Sequence, residues 1–435
     1  MMPRDSVKIG LLGMGTVGGG VAALLARSDG LLRERTDIDF VIKRVLVRDP
    51  SRKRAVELPP SVFTTAAADV LDDPEIDVVV ELIGGIEPAR TYITAALQRG
   101  KYVVTANKDL MAQHGAELLE LARRFNRNIF YEAAVGGGIP LLRPLKHCLV
   151  ANRIKRIIGI INGTTNYILT RMSQDDMEFD AALAQAQALG FAEADPANDL
   201  DGLDAAYKLA ILAGLAFHSR IDAGAIFVQG IRDVTRQDIH YARDLGYTVK
   251  LLALGERCGC DRVGDTLALR VHPTLVPLDH PLAAVHNEFN AVFLEGDAVG
   301  EVMLYGRGAG AAPTASAVLA DLVDAARCLR SELENGVMES KFKPEALLPM
   351  SALSSRFYLR LLASDRPGVF GALATAFGDE QISLDMIIQK RSEAGVAEIV
   401  LVTHQVSEEN FSRALKRVTA LPAIQPRYSI FRVLS

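Results

Sequence analysis

Two opposite charges stand four residues apart in an otherwise apolar run, Asp204 and Lys208 in GLDAAYKLAILAGLAF over residues 202–217. On a helix such side chains are neighbours, and an ordinary surface pair of this kind adds a few tenths of a kcal/mol to helix stability. The rest of the run leaves no polar face, so the helix is expected to be buried. Both charges then sit in the interior or against a cavity, where an unpaired charge costs several kcal/mol and a lysine pKa falls readily. Just upstream lie Gly190, placed past the end of a helix expected over 179–189, then Glu193 and Asp199. Together these put carboxylates and one lysine within nineteen residues. Such carboxylates can bind an α-ammonium group or orient a reactive carbonyl. A lysine whose pKa is lowered by burial can supply the proton that a carbonyl oxygen needs as its carbon accepts hydride.

A second constellation suits a source of hydride. VKIGLLGMGTVGGGVAALLAR begins as an apolar strand, passes through Gly13, Gly15, Thr16, Val17 and Gly18, and continues as an Ala- and Leu-rich helix. That is GxGxxG in its required strand-to-helix setting, where glycines permit the turn and free N–H groups at the helix start attract a pyrophosphate. A plain Gly-rich turn is the alternative. After the second strand comes VRDPSRKR. Arg48 there suits the 2′-phosphate of NADP(H), while Asp49 keeps NAD(H) open and a solvated basic turn is the bland reading. Lys108, in TANK at 105–108, and Gly84 fall just beyond strands, at the edge where open α/β sheets bind ligands. Glu132 precedes the triple glycine 136–138, and a hard cation held by Glu132 and carbonyl oxygens is chemically reasonable there. A tight turn is the alternative.

These residues need a scaffold that the pattern supplies. Strands near 40–47, 77–83, 102–106 and 128–133, with helices near 88–99 and 109–125, predict βαβ units and a parallel sheet. The run IIGIINGTTNYIL reads as a further apolar strand. A helix over about 310–330 follows, then a stretch without period over 331–355, read as a linker. From 356 to 435 the pattern is βαββαβ, a ferredoxin-like order. A chain of 435 residues is long enough for about three domains, each with its own core. The expected division is 1–135 with the helix 310–330, then 136–309, then 356–435. The 48 basic and 53 acidic residues give a net charge of -5, so no positive field favours nucleic acid or an anionic membrane. No apolar run reaches membrane-spanning length and the first residues lack a signal-peptide pattern, so a cytoplasmic protein is expected. Cys148, Cys258, Cys260 and Cys328 are too few and scattered for a disulfide framework or a four-ligand zinc site, and Cys258-Gly-Cys260 reads as a turn.

The stretch from Ala186 through GFAEADPANDLDGLDAAYK to Lys208 closely resembles the signature of the homoserine dehydrogenases, in residue types and in every spacing. The resemblance extends over GLLGMGTVG, TANK, EAAVGGGIP, INGTTNYIL and YGRGAGAAPTASAVLAD, nearly the whole chain to about 330, with no departure where the family's pattern carries chemistry. It implies NAD(P)-dependent interconversion of L-aspartate 4-semialdehyde and L-homoserine, on the branch to threonine, methionine and isoleucine. By the matching positions, Lys208 is implied as general acid and Lys108 as a second lysine at substrate and nicotinamide. Glu193 and Asp204 are implied as substrate ligands with Gly190 contributing backbone, and Gly310 joins the cofactor-binding set. Glu132, Val135, Gly137 and Ile139 correspond to the family's monovalent cation site, for sodium or potassium. Asp365-Arg366-Pro367-Gly368-Val369-Phe370 resembles the first loop of ACT domains, which implies an amino-acid effector, threonine by pathway logic, in a homodimer or homotetramer. Two readings compete. Aspartate-semialdehyde dehydrogenase would need a nucleophilic cysteine, and a non-catalytic sensor would have no need of a buried Asp204 and Lys208.

Overall fold

The structure is a computed structural model that describes residues 6–54, 56–259, 266–331, 345–393 and 395–434. The chain opens with alternating elements: β1 (Ser6–Leu12), α1 (Thr16–Thr36), β2 (Asp39–Leu46), β3 (Phe63–Thr64), α2 (Ala68–Leu71), β4 (Val78–Glu81), α3 (Ala89–Gln98), β5 (Tyr102–Thr105), α4 (Lys108–Arg124) and β6 (Ile129–Phe130). It continues through β7 (Ile154–Ile160), α5 (Gly163–Gln174), α6 (Phe179–Ala188), α7 (Ala197–Leu200), α8 (Leu203–Phe217), β8 (Phe227–Val228), α9 (Arg236–Asp244), β9 (Tyr247–Cys258), β10 (Thr266–Pro277), β11 (Phe289–Gly296), β12 (Gly300–Arg307) and α10 (Ala311–Ser331). Last come β13 (Ala346–Leu347), β14 (Ser354–Ser364), α11 (Val369–Gly378), β15 (Leu384–Glu393), β16 (Val396–Thr403), β17 (Val406–Ser407), α12 (Glu408–Thr419) and β18 (Ile424–Val433).

The described residues form two compact units. The first draws on Met1–Lys155, Tyr207–Gly224 and Asn290–Pro344. Its six-stranded sheet runs β3-β2-β1-β4-β5-β6 with every pair parallel, the Rossmann-type arrangement that the alternation predicts. Continuously buried strands such as Val78–Glu81 fit a sheet covered on both faces. The order reverses between β1 and β4, which sets a ligand crevice at the carboxyl ends of those two strands. α10 spaces Ala315, Val318, Leu322 and Ala325 three and four apart, and this stripe enters the same core as β1 and α1. Where α1 and α10 begin, a Cβ on Gly20 would stand 2.6 Å from the Ala311 carbonyl oxygen, so glycine is what lets the helices approach.

The second unit draws on Arg156–Ala206, Ala225–Phe289 and Glu345–Ser435. Its sheet runs β7-β9-β10-β18-β14-β16-β15. The last four strands with α11 and α12 make the ferredoxin-like module, cored by Phe357, Leu359, Leu373, Phe377, Leu401 and Phe411 among others. The module does not hang from the chain alone. One edge of β10 is covered in turn by β13, β8 and β18, all parallel to it, with Thr274 and Leu275 opposite Arg432 and Val433. Beside this seam, Arg360 on β14 places its guanidinium on the fully buried Asp238 of α9 at 2.6 Å and on Glu398 at 2.9 Å. Thirteen residues of the expected linker, 332–344, lie outside the described residues, and Ala346 and Leu347 are already strand.

One expected strand is corrected. IIGIINGTTNYIL is strand only to Ile160; Asn162 caps α5, its side chain accepting from the Thr165 N–H, and Thr164 to Leu169 are buried helix. Apolar and β-branched residues through Ile168 carry the strand signature, but the cap wins because it satisfies an N–H that a helix start leaves unpaired. Among the described residues no helix is long and apolar enough to cross a membrane.

Candidate active site

At the crevice, α1 starts at Thr16 directly after Gly15, and Val17 lies in its first turn. A Cβ on Gly18 would meet the Gly13 carbonyl oxygen at 2.3 Å, whereas at Gly15 nothing stands within 4 Å, leaving its face open to a ligand. Thus Gly13 and Gly18 shape the turn and Gly15 offers approach, the division of labour a pyrophosphate needs. Across the switch point the fully buried Glu81 organises the opposite wall. Its carboxylate accepts from the N–H groups of Ile83 and Gly84, at 2.8 and 3.1 Å, and from the Thr105 hydroxyl at 2.7 Å. Thr105 in turn accepts from Asn107 N–H, and Asn107 donates to Gly85 O and caps α4. Lys108 is therefore the first residue of a firmly held helix, half-buried at the sheet edge. Beyond β2, Arg48 is exposed. The Asp49 carboxylate is taken by the Ser51 hydroxyl and N–H, which hold it below its usual pKa. Arg54 turns back onto the carbonyls of Asp49, Pro50 and Arg52.

In the Gly-rich loop the Glu132 side chain is engaged by the main chain. The buried carboxylate accepts three backbone N–H groups, Leu141 at 2.6 Å, Leu142 at 2.9 Å and Arg143 at 2.7 Å. Glu132 N–H donates to Asp321 at 2.9 Å, and burial together with the Glu132 charge pushes the Asp321 carboxyl up to about 8. What the loop leaves for a hard cation is main-chain oxygen. Val135, Gly137 and Ile139 are buried, and among the described residues their carbonyls accept no hydrogen bond. Gly136 and Gly137 take φ of 76° and 53°, the left-handed region that folds this loop tightly. The residues present thus fit a cation bound by carbonyls rather than by the Glu132 side chain.

The carboxylates of the second unit are gathered by the start of α5. The two Nδ2 hydrogens of Asn162 go to Asp199 at 2.7 Å and Asp204 at 2.8 Å. Thr164 Oγ1 lies 2.6 Å from Phe191 O and 3.0 Å from Asp199, which ties in the loop that carries Gly190 and Glu193. Gly190 has φ 77°, and Glu193 is exposed. Asp204 is buried, as its apolar helix requires. Lys208 follows one turn later and is half-buried, not secluded, because the helix side carrying Leu203, Tyr207 and Lys208 is more open than its composition suggests.

Comparison with known proteins adds to this geometry. The homoserine dehydrogenase family model matches residues 140–323, its NAD-binding domain model matches 13–132, and the ACT domain model matches 357–423. A homoserine dehydrogenase of Synechocystis sp. is 46% identical over 99% of this chain and 100% of its own. The chain belongs to the homoserine dehydrogenase family. A homoserine dehydrogenase of Bacillus subtilis is 43% identical over 98% of both chains. The crystal structure of a homoserine dehydrogenase from Thiobacillus denitrificans superposes with a TM-score of 0.93 at 41% identity, covering 99% of this chain and 98% of that one. A hyperthermophilic archaeal homoserine dehydrogenase in complex with NADPH gives 0.62 at 27% identity, with 74% of this chain covering 97% of that one.

As a homoserine dehydrogenase the chain is an oxidoreductase acting on a CH–OH group with a nicotinamide cofactor. Several of its organising groups escape sequence reasoning. Asp321 and Asn162 act through partners far along the chain, and Glu81 reaches across the sheet to Thr105. Lys250, 2% exposed on β9, donates to Asn166 and Val285 O, and burial pushes it down to about 7. An N-cap rule applied to Asn162 would have found one of them. Burial raises the thiols of Cys258 and Cys328, the opposite of what the activated nucleophile of the competing dehydrogenase needs; Cys148 is exposed, and Cys260 lies outside the described residues.

Proposed function

We propose that the chain catalyses the reversible NAD(P)H-dependent reduction of L-aspartate 4-semialdehyde to L-homoserine, in the cytoplasm, on the route to threonine, methionine and isoleucine. The observation that carries this reading is the junction of α5, α7 and α8, where one amide draws Asp199 and Asp204 together and Lys208 follows a turn later. A bound nicotinamide cofactor supplies or accepts the hydride. Its pyrophosphate belongs at Gly13, Gly15, Thr16, Val17 and Gly18, with Gly84, Lys108 and Gly310 as further contacts. NADP(H) is the preferred form: Arg48 stands exposed beyond β2 while Asp49 is occupied by Ser51, and an archaeal relative is known with NADPH.

Within this reading Glu193 and Asp204 bind the amino-acid end of the substrate, with Gly190 lending backbone and Lys108 steadying the substrate beside the nicotinamide. Lys208 gives its Nζ proton to the carbonyl oxygen in the reduction and takes it back in the oxidation. The carbonyls of Glu132, Val135, Gly137 and Ile139 hold a sodium or potassium ion that braces the Gly-rich loop. Threonine binds at the ACT module, where Gly368, with φ 91°, caps α11 and turns the Asp365–Phe370 loop. Exposed Met303 and Tyr305 on β12 support a homodimer or homotetramer.

The test is turnover of L-homoserine by the purified full chain with NADP and with NAD, with and without millimolar threonine. Expected are homoserine-dependent reduction of the nicotinamide, faster with NADP, and inhibition by threonine. A chain that binds dinucleotide but turns over no homoserine is the sensor, not the enzyme. A chain that ignores threonine loses the regulatory part alone.

A further inference from the structure

Asn162 is 5% exposed at the end of β7, and its amide has only one way to face. Oδ1 caps α5 by accepting from Thr165 N–H at 2.9 Å and Thr165 Oγ1 at 2.8 Å, which are donors. The nitrogen must then point the other way, where it finds two acceptors. These carboxylates come from different elements, Asp199 from α7 and Asp204 from α8, and left to themselves two anions at such range repel. A neutral group with exactly two N–H bonds to give is suited to hold them together without cancelling their charge.

We propose that Asn162 is a positioning residue for the dehydrogenase reaction: it sets the spacing and direction of Asp199 and Asp204, and so the cradle for the substrate's ammonium. The inference deepens the proposed function and depends on the role given there to Asp204. It also separates two jobs that one side chain performs, capping a helix through oxygen and presenting carboxylates through nitrogen.

Asn162→Asp splits those jobs. It keeps an oxygen for the Thr165 N–H, and aspartate caps helices as well as asparagine, so α5 stays capped. It replaces both donors by an oxygen aimed at two carboxylates. Expected is a KM for homoserine raised ~10- to 100-fold, the usual scale for lost hydrogen bonds to charged groups. The acidic limb of the pH–rate profile should also move upward by about one unit, because a third carboxylate joins the cluster. Dinucleotide affinity, read by fluorescence titration, should stay near that of the parent, while thermal stability falls because a third buried carboxylate faces two others. If Asn162→Asp does not fold, Asn162→Ser, whose hydroxyl also caps, should show the rise in KM without the shift in pH profile. Asp204→Asn is the control that separates the two readings. An Asp204→Asn that is crippled beside a capped variant at position 162 with parental KM and pH profile overturns the positioning role alone. An Asp204→Asn with parental kinetics, or a parent without homoserine turnover, overturns that role together with the proposed function.

Discussion

At the Gly-rich loop Glu132 and Asp321 meet behind three backbone N–H groups, whereas at the start of α5 Asp199 and Asp204 meet at a side-chain amide. In the first pair the main chain takes up one carboxylate, and the other is buried so fully that its proton is held up to about 8. In the second pair one partner is buried and the other half-buried, and a neutral amide gives each a donor. The first arrangement fixes a loop. The second gathers carboxylates from two helices at one point. Acidic residues in a sequence thus do not announce their task; the donors that fold around them do.

Removing the lysine beside the second pair should have the largest effect. Lys208→Ala is expected to fold and to lose on the order of 10² to 10⁴ in kcat, the range of general acid–base catalysis. Steady-state kinetics within threefold of the parent would take Lys208 out of the mechanism.

The first pair should speak through stability instead. The Asp321 carboxyl titrates near 8 when folded and about 3.9 when unfolded. Between those values the unfolded chain has released the proton that the folded chain retains. Stability therefore falls as pH rises across that window, by at most about 1.4 kcal/mol per unit, and levels off above it. Asp321→Asn has no proton to lose and should show a flatter profile, gaining on the parent between about pH 5 and about pH 8 in thermal unfolding. Parallel profiles would mean that the buried carboxyl is not the source.

The smallest effect is expected at the exposed acid. Glu193→Gln keeps shape and loses charge, and should raise KM for homoserine about 10-fold with little change in kcat, as for one charge-assisted bond. An unchanged KM leaves the ammonium to Asp199 and Asp204.

Much of this scaffold is legible because its signals are local. Apolar runs spaced by helices place β1, β2, β4 and β5 and put Gly84 and Lys108 just past strand ends. What is lost is what depends on distant partners. Nothing near Glu132 in the chain tells that Asp321, at a separation of 189, occupies its N–H. Arg360 and Asp238, 122 apart, are equally silent. Lys250 reads as a strand residue with an ordinary charge until Asn166 and Val285 close over it. The misread strand after Ile160 is another matter, since the cap and the helix it starts are adjacent, and residue preference alone outvoted them.

The seam along β10 changes what the C-terminal module is. A chain ended before Ser354 would uncover the N–H and C=O groups at Thr274 and Leu275 that now face β18, and a bare strand edge is a template for joining other chains. It would also strand Asp238 in the interior without its guanidinium. The module is a splice in the fabric of the sheet, so removing it calls for a hem as well as a cut: a charged or proline-bearing edge on β10 and a neutral residue at 238.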